Sequence, residues 1–593
     1  MKAEAVTLLD LLRKSTQFVI PVYQRNYSWE SKQCEKLWAD IIRAGTNEKV
    51  NAHFIGAVTY IERDLTVVNQ QPSLVIDGQQ RLTTCTLLIA ALANYFEESK
   101  HPELLGAFSA KKIRNYYLIN PDEEDDRHFK LILSEADKNT LLAIIQKDLP
   151  RPDTSSERIN ENYNFFQKEI SSASNQLEVI CLGLSKLKIV AIALERTQDD
   201  PQMIFESMNS TGLRLKQSDL IRNYILMDLN PKEQAALYKD YWRPMEEGFG
   251  QEAYTEHFDF FARHYLVVKT EKIPKMDEIY DDFKEYARDK DVKKLVSDLK
   301  TFANYYCVMA LDAETDKKLK AKTDKKLKKA FQDLKELKVD VAYPFLLDAY
   351  EQYEQNKLRV DEFVEIVRLV ESYVFRRAIC GIPTNSLNKF FAAFSKSLEN
   401  RDRYLESVKT AFLKDVFESS SESASSYRGF PNDKQFQNSL KTRDLYHSRN
   451  CSYLLRRLEN HTRKEPVAIK DYTIEHVMPQ KEKLSEEWQT ELGLNWKQVH
   501  QSLLHTLGNL TLTGYNPEYS DKSFLVKQKE ALDKQGKKIS FDSSPLRLNT
   551  WEFDIDKQKF SLATIPTWNE AAIQARAESL ALAATEIWSM PHI

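Results

Sequence analysis

Ser73-Leu74-Val75-Ile76-Asp77-Gly78-Gln79-Gln80-Arg81-Leu82-Thr83-Thr84 is the stretch on which the reading of the fold turns. Leu74, Val75 and Ile76 make a short buried-strand signal, and Leu82, Cys85, Ile89, Leu92 and Phe96 recur at the three-and-four spacing of one helix face. A strand therefore turns sharply into a helix. The turn crowds a glycine, a carboxylate, two amides and a guanidinium at a helix N-terminus, where free N–H groups and the helix dipole favour a phosphate. Arg81 suits phosphate oxygens in a forked geometry, and Asp77 suits Mg²⁺. The same residues also make an ordinary strand-to-helix turn, with Asp77 as cap and Arg81 as a surface charge. Spacing does not choose between the two.

Outward from this turn, the composition sets bounds. A chain of 593 residues is too long for one core and predicts about three domains. Its formal net charge of −4 gives no global attraction to nucleic acid, so any DNA contact rests on local basic patches. The six cysteines, 34, 85, 181, 307, 380 and 451, form no Cys-x-x-Cys pair, so neither a disulfide framework nor a zinc ribbon is expected. The first residues lack a long apolar core and no apolar run reaches the ~18 residues of a membrane span, so a cytoplasmic location without membrane contact is expected. No glycine lies in a Walker-type or Rossmann-type motif. Any nucleotide must be bound by the unconventional turn.

Upstream, Thr7 to Leu12 reads as a short helix and Phe18 to Tyr23 as an extended segment whose Pro21 marks an edge or a strand end. Tyr27 and Trp29 can stack on a base or simply fill a core beside the helix of Leu37, Trp38 and Ile41. Phe54 to Ile61 and Leu187 to Leu194 read as strands, and 97 to 185 as mainly helical. Asn209 to Gly212 has a helix-stop composition. Asp219, Arg222 and Asn223 share a helix face at i, i+3 and i+4.

Three blocks carry a resemblance: Pro21-Val22-Tyr23-Gln24-Arg25-Asn26-Tyr27-Ser28-Trp29, Asp77-Gly78-Gln79-Gln80-Arg81, and Phe205 to Gly212 continuing to Asp219-Leu220-Ile221-Arg222-Asn223. Together they resemble the N-terminal module of GmrSD-like type IV restriction systems. The resemblance implies a ParB/sulfiredoxin-like fold that binds and hydrolyses a nucleoside triphosphate with Mg²⁺. It implies nucleotide contacts from Gln24, Arg25, Tyr27, Asp77, Gly78, Gln79, Gln80, Arg81, Asn209, Asp219, Arg222 and Asn223, with Asp77 and Arg81 serving turnover.

From about 230 to 415 the pattern is long amphipathic helices. Within it, Glu314 to Lys320 is repeated nearly word for word as Lys322 to Lys328, a solvated stretch or a lysine cluster that tracks a phosphate backbone. Arg376 and Arg377 read either as DNA contacts or as ties between modules. Residues 418 to 426, rich in serine, have linker composition.

Beyond the linker, Tyr472-Thr473-Ile474-Glu475-His476-Val477-Met478-Pro479-Gln480, Leu507 to Thr513, and Asn516 with Asp521-Lys522-Ser523 read as strand, strand and helix, the first strand ending in a histidine. This resembles the ββα-metal (HNH) nucleases and the C-terminal nuclease module of the same systems. The resemblance implies His476 as general base, Glu475 and Asn516 as ligands of Mg²⁺ or Mn²⁺, Asn509 holding the loop in register, and Lys522 near the phosphate. Glu475 stands where many members have Asp or His, and Asn516 stands for the third named His. A histidine near neutrality suits a base, and a hard cation suits phosphodiester hydrolysis. His500 and His505 invite a zinc reading with His476, but no cysteine lies nearby at ligand spacing. Trp568 onward reads as a closing helix.

The expected chain is thus a multidomain α+β protein. Residues 1–228 form the nucleotide-binding domain, 229–415 a helical connecting domain, 416–435 a linker and 436–593 the nuclease domain. The expected function is nucleotide-regulated, modification-dependent cleavage of double-stranded phage DNA, and a homodimer is compatible with it. The alternative is a nucleotide-switched DNA-binding scaffold with an inactive nuclease centre.

Overall fold

A computed structural model describes residues 1–15, 17–62, 72–150, 152, 155–195, 199–200, 202–206, 216–227, 229–311, 324–418, 428–468 and 471–592. Asn209 and the remainder of 207–215, most of the lysine-rich repeat, and all but the first residue of the serine-rich stretch lie outside them. The protein is mixed α/β and predominantly helical. It divides into two compact units, residues 1–244 with 277–297, and residues 245–276 with 298–593. No helix among the described residues is long and apolar enough to cross a membrane.

The first unit is built on a six-stranded mixed sheet of β1 (Lys2–Thr7), β2 (Phe18–Val19), β3 (His53–Glu62), β4 (Ser73–Asp77), β5 (Leu131–Ile132) and β6 (Leu187–Glu195), in the order β1-β6-β3-β4-β2-β5. β2 runs parallel to both β4 and β5, so it is an interior strand, and Pro21 lies just past its end rather than on an edge. β3 pairs antiparallel with β4 and parallel with β6.

The helix Gln79–Glu98 leaves β4 through Gly78 and runs through the core. Sequence spacing marked one apolar face, yet Leu87, Leu88, Ala90, Ala91 and Ala93 are buried as well. The helix is enclosed on all sides, which a one-sided amphipathic reading misses. The expected short N-terminal helix is present at Leu8–Lys14, capped by the Thr7 hydroxyl.

In the second unit, Arg376 and Arg377 are fully buried in the helix Val360–Ile379. Arg376 donates to the carbonyls of Trp588 and Pro431, at 2.5 and 3.0 Å, and Arg377 to that of Pro383 at 2.9 Å. They are internal ties, Arg376 to carbonyls of distant segments and Arg377 to the loop after its own helix, and the reading as DNA contacts is set aside. The two-stranded antiparallel ribbon of β7 (Thr473–His476) and β8 (Leu510–Thr513) belongs to this unit. The closing helix Glu570–Ile587 packs against it through buried Arg576, which donates to the carbonyls of Gly508 and Leu510, at 2.7 and 2.8 Å.

Candidate active site at the end of strand β7

The ribbon pairs Glu475 with Thr511 and His476 with Leu510. Alternation sends these neighbours to opposite faces. Asn509 anchors the turn that follows His476: its Oδ1 accepts from the Met478 N–H at 2.7 Å and the Trp568 indole at 3.2 Å, and its Nδ2 donates to the Met478 and Leu504 carbonyls, at 3.0 and 2.9 Å. With all four bonding positions used and no exposed surface, Asn509 holds the histidine's register.

His476 is 4% exposed. Its Nε2 lies 3.0 Å from His505 Nδ1, and the ring of Tyr446 covers both, edge-on to His476 and flat on His505. Burial first, then the neighbouring His505, lowers the pKa of His476 to about 3, so the ring is neutral at physiological pH. Against His505 stand Asp444 and His447, whose carboxylate and Nδ1 are 2.8 Å apart.

Two expectations change here. Glu475, expected as a metal ligand, is ion-paired with a wholly buried Lys527: Nζ donates to Glu475 Oε1 at 2.6 Å and to the His476 and Val477 carbonyls, at 2.9 and 3.2 Å. Asn516 donates to the Ile474 carbonyl at 3.0 Å while its buried Oδ1 has no partner. Asn516 alone would suit a hard cation. The Lys527 ammonium occupies one oxygen of the Glu475 carboxylate in this arrangement. Lys522 is exposed, beside Asp521, which pairs with Lys481 at 2.6 Å. His500 faces the Pro479 carbonyl at 3.0 Å, so the trio of His476, His500 and His505 does not assemble.

In the first unit Gly78 has φ +93°, and a Cβ there would come 2.9 Å from the Ala57 carbonyl oxygen, so the turn requires glycine. The expected nucleotide residues divide by what they touch. Gln79 donates to the Arg25 carbonyl at 2.9 Å. Gln80 accepts from Ser28 and Trp29 N–H, at 2.8 and 3.1 Å, and donates to the Asn26 carbonyl at 3.2 Å. Gln24 donates to the Ile76 carbonyl at 2.9 Å. Arg222 donates to the Tyr23 carbonyl at 2.8 Å and pairs with Asp219 at 2.8 Å. These side chains shape the loop of residues 21–30. Tyr27 is buried, its hydroxyl 2.6 Å from Thr84 and 3.0 Å from Asn162, so its ring fills the core and offers no face to a base.

Open functionality remains at the turn. The Asp77 carboxylate is exposed and the Arg25 guanidinium half-buried, neither with a side-chain partner among the described residues. Arg81 donates to the Ala57 carbonyl, and among the described residues neither its buried Nε nor the buried Oδ1 of Asn223 has a partner. Gly78 provides no side-chain cap to the 20-residue helix that starts beside these groups.

Residues 8–226 match the family described as "GmrSD restriction endonuclease, N-terminal domain", and residues 430–583 match "GmrSD restriction endonucleases, C-terminal domain". The chain belongs to the GmrSD-like type IV restriction endonucleases. Both candidate sites fall inside the matched segments, the turn in the first and His476 in the second. A GmrSD-like enzyme is a nuclease with DNA as partner and divalent metal as the expected helper. A search of curated proteins returns no match. Sequence reasoning missed Asp444, Tyr446, His447 and Lys527 around the nuclease histidine; Asp444 and His447, three residues apart, were the one local signal available.

Proposed function

We propose that this GmrSD-like chain is a nucleotide-regulated, modification-dependent DNA endonuclease, with an HNH-type ββα centre around His476 and a ParB/sulfiredoxin-like nucleotide module around Asp77. The observation that carries the hydrolytic reading is His476 itself: a neutral imidazole held by the Asn509 clamp at the end of β7, 3.0 Å from a second imidazole that is half-exposed. In this reading His476 takes a proton from the attacking water, and its contact with His505 fixes the ring's orientation. A divalent ion would polarise the scissile phosphate when bound. Lys527 keeps Glu475 neutralised and so preserves the shape of the strand end.

In the nucleotide module the helix N-terminus, Arg25 and Arg81 would bind the phosphates, and Asp77 would hold the nucleotide's Mg²⁺. Gln24, Gln79, Gln80, Asp219 and Arg222 position the loop that carries Arg25. Cleavage of modified phage DNA in the cytoplasm is the proposed role in defence.

The test is nicking of supercoiled plasmid, modified and unmodified, with each nucleoside triphosphate and with Mg²⁺ or Mn²⁺. Nicking that depends on His476 supports the reading. A pure chain that binds DNA and nucleotide yet nicks no substrate would instead make it a nucleotide-switched scaffold.

A further inference from the structure

The turn that begins at Asp444 is fastened to the segment carrying His505. Leu445 N–H donates to the His505 carbonyl at 2.9 Å, and Ser448 N–H folds back on Leu445 at 3.1 Å. Within the turn, Asp444 Oδ1 accepts from the His447 backbone N–H at 3.1 Å, while Oδ2 lies 2.8 Å from His447 Nδ1. Tyr446, between them, stacks on His505 with an interplanar angle of 13° and a centroid separation of 5.4 Å. The His447 and His505 rings meet edge to face at 4.7 Å. Backbone and aromatic contacts thus bring together side chains some sixty residues apart in the sequence.

One donor atom from each of Asp444, His447 and His505 lies within 4.8 Å of the others. Two imidazoles and one carboxylate suit a borderline first-row ion, whereas Mg²⁺ prefers oxygen ligands. We propose that Asp444, His447 and His505 form a binding site for a first-row transition-metal ion of the Zn²⁺ or Co²⁺ class, adjoining His476. Metal–ligand bonds of about 2.0–2.1 Å separate the ligands of a tetrahedral ion by about 3.4 Å, so a shift of at most about 1.4 Å brings the trio to that spacing. Asp444 and His447 are exposed, and Tyr446 holds the His505 ring. Three protein ligands leave a position open for water or a phosphate oxygen. The site is distinct from Glu475, whose carboxylate belongs to Lys527. Ion binding stands independently of the nuclease reading, and only its use in cleavage rests on that reading.

The experiment uses the full chain, stripped with a chelator and dialysed. Co²⁺ binding is followed by its visible ligand-field absorption, and Zn²⁺ by equilibrium dialysis. Wild type is compared with Asp444→Ala, His447→Ala, His447→Gln, His505→Gln and, as a control, Glu475→Gln, each shown folded by its melting curve. One ion per chain is expected in wild type and in the control. Each ligand change should weaken it at least about tenfold, since even outer-shell changes at metal sites cost about 10–100-fold. Excess Mg²⁺ should not displace the ion. A wild type that takes up no ion, or an affinity that the four ligand variants leave unchanged, overturns the site. A chain that binds the ion but never cuts DNA overturns the nuclease reading and leaves the site standing.

Discussion

Replacing Lys527 with Met tests how the catalytic strand end is held. Lys527 has no exposed surface, and its three bonds go to Glu475 Oε1 and to the carbonyls of His476 and Val477, the residues at the end of β7. Methionine matches the stem in volume but leaves a buried carboxylate and two carbonyls without donors. Breaking one side of a buried pair costs about 3–5 kcal/mol, while replacing both partners is nearly neutral. Lys527→Met should therefore lose about that much stability at neutral pH, and Lys527→Met/Glu475→Gln should recover most of it. The pH dependence has a definite sign. Burial already raises the Glu475 pKa, and loss of the ammonium raises it further, so the variant's folded state binds a proton more tightly than its unfolded state. Its deficit should shrink as pH falls from 7 towards 5. Urea unfolding of the four chains at both pH values gives the coupling energy directly. A single variant that loses less than about 1 kcal/mol, or that regains wild-type stability on adding Mg²⁺, would refute Lys527 as the built-in counterion.

His476→Ala should lower plasmid nicking by about 10²–10⁴-fold while nucleotide turnover persists, as read by gel and by phosphate release from the same preparation. Arg81→Ala should abolish turnover and change nicking within about 5–150-fold, the usual span of coupling between sites; unchanged nicking by a variant that has lost turnover would make the two modules independent. Gly78→Ala should cost about 1–3 kcal/mol, because its φ of +93° and the Ala57 carbonyl leave no room for Cβ, and nucleotide titration should show weakened binding. His264 and His476, both held near 3 by burial, remain unprotonated in the folded chain while their unfolded forms gain a proton below 6.5, so stability is full above 6.5 and falls as pH drops towards 3. Each contributes up to about 1.4 kcal/mol per pH unit in that window, and His264→Phe should flatten the urea-midpoint profile accordingly.

Strand β4 and the helix after Gly78 were legible because a short apolar run, a turn glycine and a 3.6-residue period coincide there. The strand ending in His476 was legible for a similar reason. Strand β1 was not: Lys2–Thr7 alternates weakly and becomes a strand by pairing with β6, a partner far along the chain. The roles of Gln79 and Gln80 were hidden because an amide that binds a ligand and one that binds a backbone are identical in sequence. Lys527 sits 52 residues from Glu475, and His505 sits 29 from His476, so no local spacing announces either contact. What decides them is the ribbon's pairing and the turn that Asn509 clamps, both products of tertiary packing.

The two sites share a construction. At each, amides and buried cations are consumed in fixing backbone: Gln80 and Arg222 for the loop of residues 21–30, Asn509 and Lys527 for the turn after His476. Each such group satisfies carbonyls or N–H groups that would otherwise be buried without partners, at a cost of about 1–3 kcal/mol apiece. The loops are thereby held with little residual freedom, and a few groups remain with unused bonding capacity: Arg25, Asp77 and Arg81 Nε in the first unit, Asn516 Oδ1 and the exposed Asp444–His447 pair in the second. Unused capacity on a rigid frame is what a phosphate or a metal ion can exploit without a further ordering penalty. The residues most worth altering for function are accordingly those with unspent bonds. Those with every bond spent will report on stability first and on activity only through the geometry they hold.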